Sequence, residues 1–374
     1  MAAGGDAIAR DDDGRVVFVT GALPGERVRV ELDLQRRDYA HGHVLDVLEA
    51  APERMAPPCP HVARGCGGCQ WQHVSLDGQR ELKRSIVLDA LRRLGHIEGI
   101  VLEPTVELPA DGYRTTVRAA VVGGRAGYRR SRSHEVVAID SCLVAHPRIE
   151  ELMVDGRYGA AAEVTLRCGA RTGERLAAPT PSNVDIEVPE DVRRDTFHEM
   201  VAGRRWRVSA SSFFQARPDG ADALADLVAG AAATAATPSR AVDLYSGVGL
   251  FAGVLADAGW SVTAVEGSDS AVADARVNLA ADAVDVVGAD VLQWQPHAAA
   301  LVVADPSRKG LAAAGVDVVA ATGADTLVLI SCDAAALGRD TGLLRMAGYR
   351  PSSITPVDLF PHTVHVEVVT VFER

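Results

Sequence analysis

The spacing of apolar positions changes character along the chain. Between residues 5 and 50, short β-rich runs (Val16 to Val19, Arg27 to Leu32, His43 to Leu48) are separated by Gly, Pro and Asp turns, and a Pro24-Gly25 turn feeds an alternating strand. About five such strands in roughly 50 residues predict a small barrel of the OB type, which is either a nucleic-acid platform or a structural cap. A Pro-rich linker, residues 51–60, follows. Asp77 to Leu94 has helical periodicity, with Leu82, Ile86, Leu88, Leu91 and Leu94 mostly on one side. Residues 100–205 are mixed, with strands expected at Thr115 to Val122 and Glu135 to Ile139 and mostly loop at 170–195. From about residue 206, apolar runs (Ala241 to Tyr245, Ser261 to Val265, Ala300 to Ala304, Thr326 to Ser331) alternate with Ala-rich helical stretches. That alternation predicts a parallel α/β sheet with helices on both faces. The expected domains are therefore 1–53, an OB-like barrel; 54–205, a central α+β domain; and 206–374, a Rossmann-like α/β domain.

No apolar run is long enough to span a bilayer, and the acidic start of the chain has no apolar segment of the kind that directs secretion, so a cytoplasmic protein with no membrane partner is expected. The net charge of −12 argues against a polyanion partner only until its distribution is read. Residues 231–374 hold 8 basic and 16 acidic side chains, whereas 1–230 hold 30 and 34. Within the latter, Tyr113 to His134 carries Arg114, Arg118, Arg125, Arg129, Arg130 and Arg132 and no carboxylate. Such a stripe is either a phosphate-binding face or a solvated Arg-rich hairpin. No obligate protein partner is evident.

Candidate chemistry sits at the expected strand ends. The apolar strand from Ala241 runs into a glycine turn with Gly247 and Gly249, which lets the backbone approach a ligand. Glu266 ends the next strand, where a carboxylate accepts hydrogen bonds from ribose hydroxyls, and Asp290 is placed to face an adenine edge. The short Gly-x-Gly form favours S-adenosyl-L-methionine over a dinucleotide. Asp305 and Arg308 end another strand, offering groups for a base and a phosphate. Cys332 follows Thr326 to Ser331; a cysteine there is ordinarily a small buried hydrophobe. Glu367 lies in a β-rich run near the C-terminus, ordinarily an exposed strand carboxylate, and His362 and His365 precede it. Cys59, Cys66 and Cys69, separated partly by glycines, supply three thiols, with Cys142 a fourth. Four thiolates suit a 4Fe–4S cluster or a tetrahedral zinc, and the spacing does not decide between them. Cys168 reads as a structural thiol.

Taken together, these motifs resemble the RNA 5-methyluridine methyltransferases, in the form with an N-terminal TRAM domain and an iron–sulfur cluster. The resemblance spans nearly the whole chain. Residues 21–32 resemble the TRAM barrel, and Cys59 through Cys66-Gly67-Gly68-Cys69 resemble the cluster loop. Phe213-Phe214-Gln215 matches a Phe-x-Gln element, implying that Gln215 touches cofactor and target base. The turn at Tyr245 and Gly247 resembles the cofactor loop, and Asp305 to Arg308 an Asp-Pro-Pro-Arg element. The segments around Cys332 and Glu367 resemble those bearing the nucleophile and the base. Departures fall at Ser246, Ser307 and Asp333-Ala334, where the family usually has cysteine, proline and Asn-Pro.

The resemblance implies a definite reaction. Carbon 5 of uracil is a poor nucleophile. Addition of the Cys332 thiolate to C6 gives C5 carbanion character, C5 takes the methyl group of S-adenosyl-L-methionine, and Glu367 removes the C5 proton so that the cysteine leaves. Implied cofactor neighbours are Gln215, Tyr245, Gly247, Glu266, Asp290 and Asp305. Implied substrate neighbours are Gln215, Asp305 and Arg308, and implied 4Fe–4S ligands are Cys59, Cys66, Cys69 and Cys142, with zinc less favoured. Ribosomal RNA is the favoured substrate, transfer RNA the alternative, and a non-catalytic RNA-binding assembly factor a reading of another class.

Overall fold

The computed structural model describes residues 1–131, 133–235 and 237–374. The N-terminal unit is built from β1 (Ala7–Arg10), β2 (Val16–Thr20), β3 (Arg27–Gln35) and β4 (Tyr39–Glu49) in the order β1-β2-β4-β3, four strands rather than about five. Alternation in β2 buries Val17 and Val19 on a small core with Ala7, Ala22 and Ala40.

Helix α1 (Leu76–Arg93) begins at Ser75, whose side chain caps the Gly78 N–H. It packs against a C-terminal helix, α7 below, not against the sheet that follows it in sequence. That sheet has the order β10-β9-β8-β5-β6-β7 and comprises β5 (Thr116–Val122), β6 (Arg125–Arg129), β7 (Val136–Ala138), β8 (Glu163–Cys168), β9 (Arg175–Thr180) and β10 (Val192–Arg193). Helix α2 (Pro147–Asp155) covers it, with Ile149, Leu152 and Met153 in its core. Residues 170–195 are thus not all loop: β9 pairs along its whole length with β8. Strands β11 (Thr196–Val201) and β12 (Arg204–Ser209) form a hairpin against the next domain, so the expected boundary at 205/206 falls inside β12.

The C-terminal domain runs α3 (Pro218–Thr234), β13 (Arg240–Leu244), α4 (Leu250–Asp257), β14 (Ser261–Glu266), α5 (Asp269–Asn278), β15 (Val284–Gly288), β16 (Leu301–Ala304), α6 (Ala312–Ala321), β17 (Thr326–Ser331), α7 (Ala334–Met346), β18 (Arg350–Pro356) and β19 (Val368–Glu373). Its sheet order is β15-β14-β13-β16-β17-β19-β18, parallel except for β19. Strands β16 and β17 are buried at every position, which is why they read as continuous apolar runs. Helices α1 and α7 approach closely at Gly338: a Cβ there would collide with the Ala90 carbonyl. Among the described residues no helix is long and apolar enough to cross a membrane.

Candidate active site

The carboxyl edge of the parallel sheet collects the residues singled out from the sequence. Antiparallel pairing of β17 with β19 sets Ser331 opposite Val368, so the residues just beyond, Cys332 and Glu367, leave the sheet opposite one another. Neighbouring β16 delivers Asp305 to the same edge, with Arg308 three residues on. Glu367 is only 5% exposed, so it is not the surface carboxylate that its place in a β-rich run suggests. Burial, then the nearby Asp305, pushes its carboxyl well above the usual range, against the pull of Arg308. Burial pushes Asp305 up to about 7. The Cys332 thiol is pushed up to about 12 by burial and then by Glu367 and Asp305, with Arg308 opposing. In the free protein this is a neutral thiol beside two reluctant carboxylates and one cation. That arrangement suits a nucleophile deprotonated as substrate arrives and a base of high proton affinity. His365 sits on Arg308, with Nδ1 3.4 Å from the guanidinium, and burial followed by Arg308 lowers its pKa to about 4.

The glycine turn after β13 makes the cofactor pocket. Tyr245, Gly247 and Gly249 have φ of 61, 57 and 96°, three left-handed residues within five. Glycine is needed at 249 for space as well, since a Cβ there would meet Leu279. Tyr245 has no such freedom, and a strained residue of this kind is a common mark of a ligand site. The pocket is lined by Phe213, Gln215, Tyr245, Gly247, Phe251 and Asp305. Gln215 Nε2 donates to Asp305 Oδ2 at 3.4 Å, joining this pocket to the cysteine site. Glu266 is tied to the turn, accepting the N–H groups of Gly247 (2.8 Å) and Ser268 (2.7 Å). Asp290 lies outside the lining: it sits beside the Glu266-Gly267 turn and accepts the Leu292 N–H at 2.8 Å. Of the departures, Asp333 caps α7 by accepting the Ala336 N–H at 2.8 Å, a role asparagine would also fill. Ser246 is buried, and its Oγ has no partner among the described residues.

Cys59, Cys66, Cys69 and Cys142 line one open pocket with Tyr128, His61 and Gln72. They do not close on a point: among the described residues no three His, Cys, Asp or Glu side chains gather as they would around one ion. Gly67 is required there for close approach, not for turning freedom, because a Cβ would clash with the Arg129 carbonyl and the Ser131 amide. Burial pushes the Cys69 thiol up to about 11.

The Arg stripe is not one free basic face. Arg118 and Arg129 pair with Glu163, and Arg130 with Glu135. Arg114 acts electrostatically on the thiols of Cys66 and Cys69 and on His365. Arg132 lies outside the described residues. Several neighbours of the site gave no signal in the sequence. Phe213, 65% exposed at the pocket mouth, is visible only through the Phe-x-Gln resemblance. Gln79 and Lys83, which grip the segment leading to Glu367 at His362 and Asp358, resemble ordinary surface residues when read locally.

The sheet order, with its antiparallel β19 between β17 and β18, and the glycine turn opening into a pocket at the carboxyl edge give the domain the fold of the S-adenosylmethionine-dependent methyltransferases. The TRAM domain model matches residues 3–45. All of the chain aligns at 36% identity with an uncharacterized RNA methyltransferase of Streptomyces avermitilis, over 96% of that protein. It aligns at 33% identity with the 23S rRNA (uracil(1939)-C(5))-methyltransferase RlmD of Chromohalobacter salexigens, over 88% of that protein. The solved structure of Pyrococcus abyssi tRNA (uracil-54, C5)-methyltransferase with S-adenosyl-L-homocysteine shares the fold, with a TM-score of 0.74 and 22% identity over 98% of this chain and 100% of that one. The chain belongs to the family of TRAM-containing RNA methyltransferases.

Proposed function

We propose that this enzyme methylates carbon 5 of a uridine in 23S ribosomal RNA, with Cys332 as nucleophile and Glu367 as base. The observation that carries the reading is the cross-strand placement of Cys332 against a buried Glu367 beside Asp305 and Arg308. A methyl transfer to oxygen or nitrogen needs no thiol; addition to a pyrimidine C6 does. Full-length relatedness to uracil-C5 enzymes of 23S rRNA supports the choice of substrate.

S-adenosyl-L-methionine supplies the methyl group. Tyr245, Gly247 and Glu266 shape its pocket, and Gln215 and Asp305 sit where that pocket meets the thiol. Arg308 steadies negative charge on the sulfur and on the uracil ring as it develops. Chemistry within a buried site requires the base to leave its stack; the exposed Phe213 ring at the pocket mouth is placed to meet a neighbouring base.

The four pocket cysteines are proposed to hold a 4Fe–4S cluster. The reading is supported by the donor set: all four are free thiols that line one pocket, and four thiolates are what such a cluster takes. Iron and sulfide assay with absorption spectroscopy on anaerobically purified protein would distinguish it from zinc. A cytoplasmic location accords with ribosomal RNA as substrate.

Mass-spectrometric mapping of 5-methyluridine in 23S rRNA and tRNA from cells lacking the gene tests the substrate. Loss of one 23S rRNA methylation is expected; loss in tRNA alone would replace the rRNA reading with the tRNA one.

A further inference from the structure

Glu367 ends the excursion 357–367 between β18 and β19, and the first half of that excursion is gripped by one face of α1. Lys83 Nζ donates to Asp358 Oδ1 at 2.8 Å and to the Phe360 carbonyl at 2.9 Å. Arg80 Nε reaches the other Asp358 oxygen at 3.3 Å. Gln79, one turn before Lys83 and so on the same face, accepts the His362 N–H at 2.6 Å. Its amide group donates to the carbonyls of Trp71 (3.1 Å) and Val74 (2.8 Å). Gln79, Lys83 and Asp358 are all buried. Arg80, Lys83, Asp358 and Glu367 line one small cavity, so the grip lies directly behind the base. Helix α1 is itself fixed to the catalytic domain by its close approach to α7 at Gly338.

A buried ion pair is a poor way to gain stability, since apolar residues of the same volume would do as well or better. Its geometry is what distinguishes it: two charges and a glutamine fix three successive parts of the segment that presents Glu367.

We propose that Lys83 and Gln79 are positioning residues for Glu367, setting its carboxyl against the C5 proton of the methylated adduct. The proposal rests on the uridine-C5 reading. In the step concerned, Glu367 takes the C5 proton, the C5–H electron pair forms the C5=C6 double bond, and the C6–S pair returns to the Cys332 sulfur. Thiol addition and methyl transfer come earlier. Misplacing Glu367 therefore slows release of the product and leaves the covalent adduct to accumulate.

The test uses full-length Lys83→Met, Lys83→Arg and the double variant Lys83→Met/Asp358→Asn, which leaves no unpaired buried charge. Each is assayed with an rRNA transcript containing uridine and with one containing 5-fluorouridine, whose C5 substituent cannot leave as a proton. Release of methylated RNA is measured in single turnover, and covalent adduct by denaturing gel. For Lys83→Met and the double variant, release should fall about tenfold or more. Adduct should accumulate on the uridine transcript, while adduct formation on the 5-fluorouridine transcript stays within about twofold of wild type. Lys83→Arg should recover most of the release rate. Equal loss of adduct formation and release, or wild-type release by the double variant, would overturn the proposal. Failure of the wild-type protein to form any adduct with 5-fluorouridine RNA would overturn the uridine-C5 reading, and the proposal with it.

Discussion

Alkylation of Cys332 in the free protein should be slow at neutral pH and should climb steeply as pH rises. Only the thiolate reacts at an appreciable rate, so the rate follows its population. The Cys332 thiol stands at about 12 against an ordinary value of 9.0, because burial and the nearby Glu367 and Asp305 disfavour a second negative charge. Three pH units make the thiolate about a thousandfold scarcer than that of an ordinary cysteine at the same pH. The sign is fixed by the neighbours. Glu367→Gln removes a carboxyl whose ionisation opposes that of the thiol and should speed labelling at the alkaline end of the range, where Glu367 is charged; Arg308→Ala removes the opposing cation and should slow it. The assay is iodoacetamide labelling between pH 7 and 10 with the Cys332 peptide followed by mass spectrometry, since five other thiols are present. The rate should rise about tenfold per pH unit throughout. A plateau below pH 9, or no acceleration in Glu367→Gln, would refute the account of how this cysteine is held protonated until substrate binds.

Other outcomes follow from the geometry. Burial raises Asp305 to about 7 and so favours its neutral form in the fold; that contribution to stability is full below the ordinary carboxylate range and is lost as pH rises toward 7. The sulfonium of S-adenosyl-L-methionine favours the ionised form, so calorimetry should show affinity rising with pH through 7 in the wild type and flat in Asp305→Asn. Gly338→Val should cost roughly 1–3 kcal/mol in a urea melt, because its side chain enters the α1–α7 contact at the Ala90 carbonyl. Asp333→Ala should lose about 1 kcal/mol through the α7 cap, and Asp333→Asn almost none.

What the sequence made legible follows from which forces are local. Strands β16 and β17 are buried on both faces and so appear as unbroken apolar runs, and the turn at Gly247 and Gly249 carries its own backbone requirement. Strand β9 was hidden because Pro179 sits within it, opposite Val164, and a proline ordinarily breaks such a run. The partnership of Cys332 and Glu367 depends on β19 running antiparallel beside β17, a register that no local pattern encodes; only the resemblance joined them. Lys83 looks like a solvated helix residue until Asp358, 275 positions away, is brought against it. The Arg stripe left both of its readings open, because Glu163, which neutralises two of its members, arrives from a strand outside it.

The central claim, covalent methylation at uridine C5 through Cys332, is tested most directly with 23S rRNA transcript carrying tritium at uridine C5, incubated with S-adenosyl-L-methionine. The wild-type protein should release tritium to water in step with methyl incorporation, and Cys332→Ala should bind the transcript and release none. Methyl incorporation without tritium release, or release by Cys332→Ala at the wild-type rate, would contradict it.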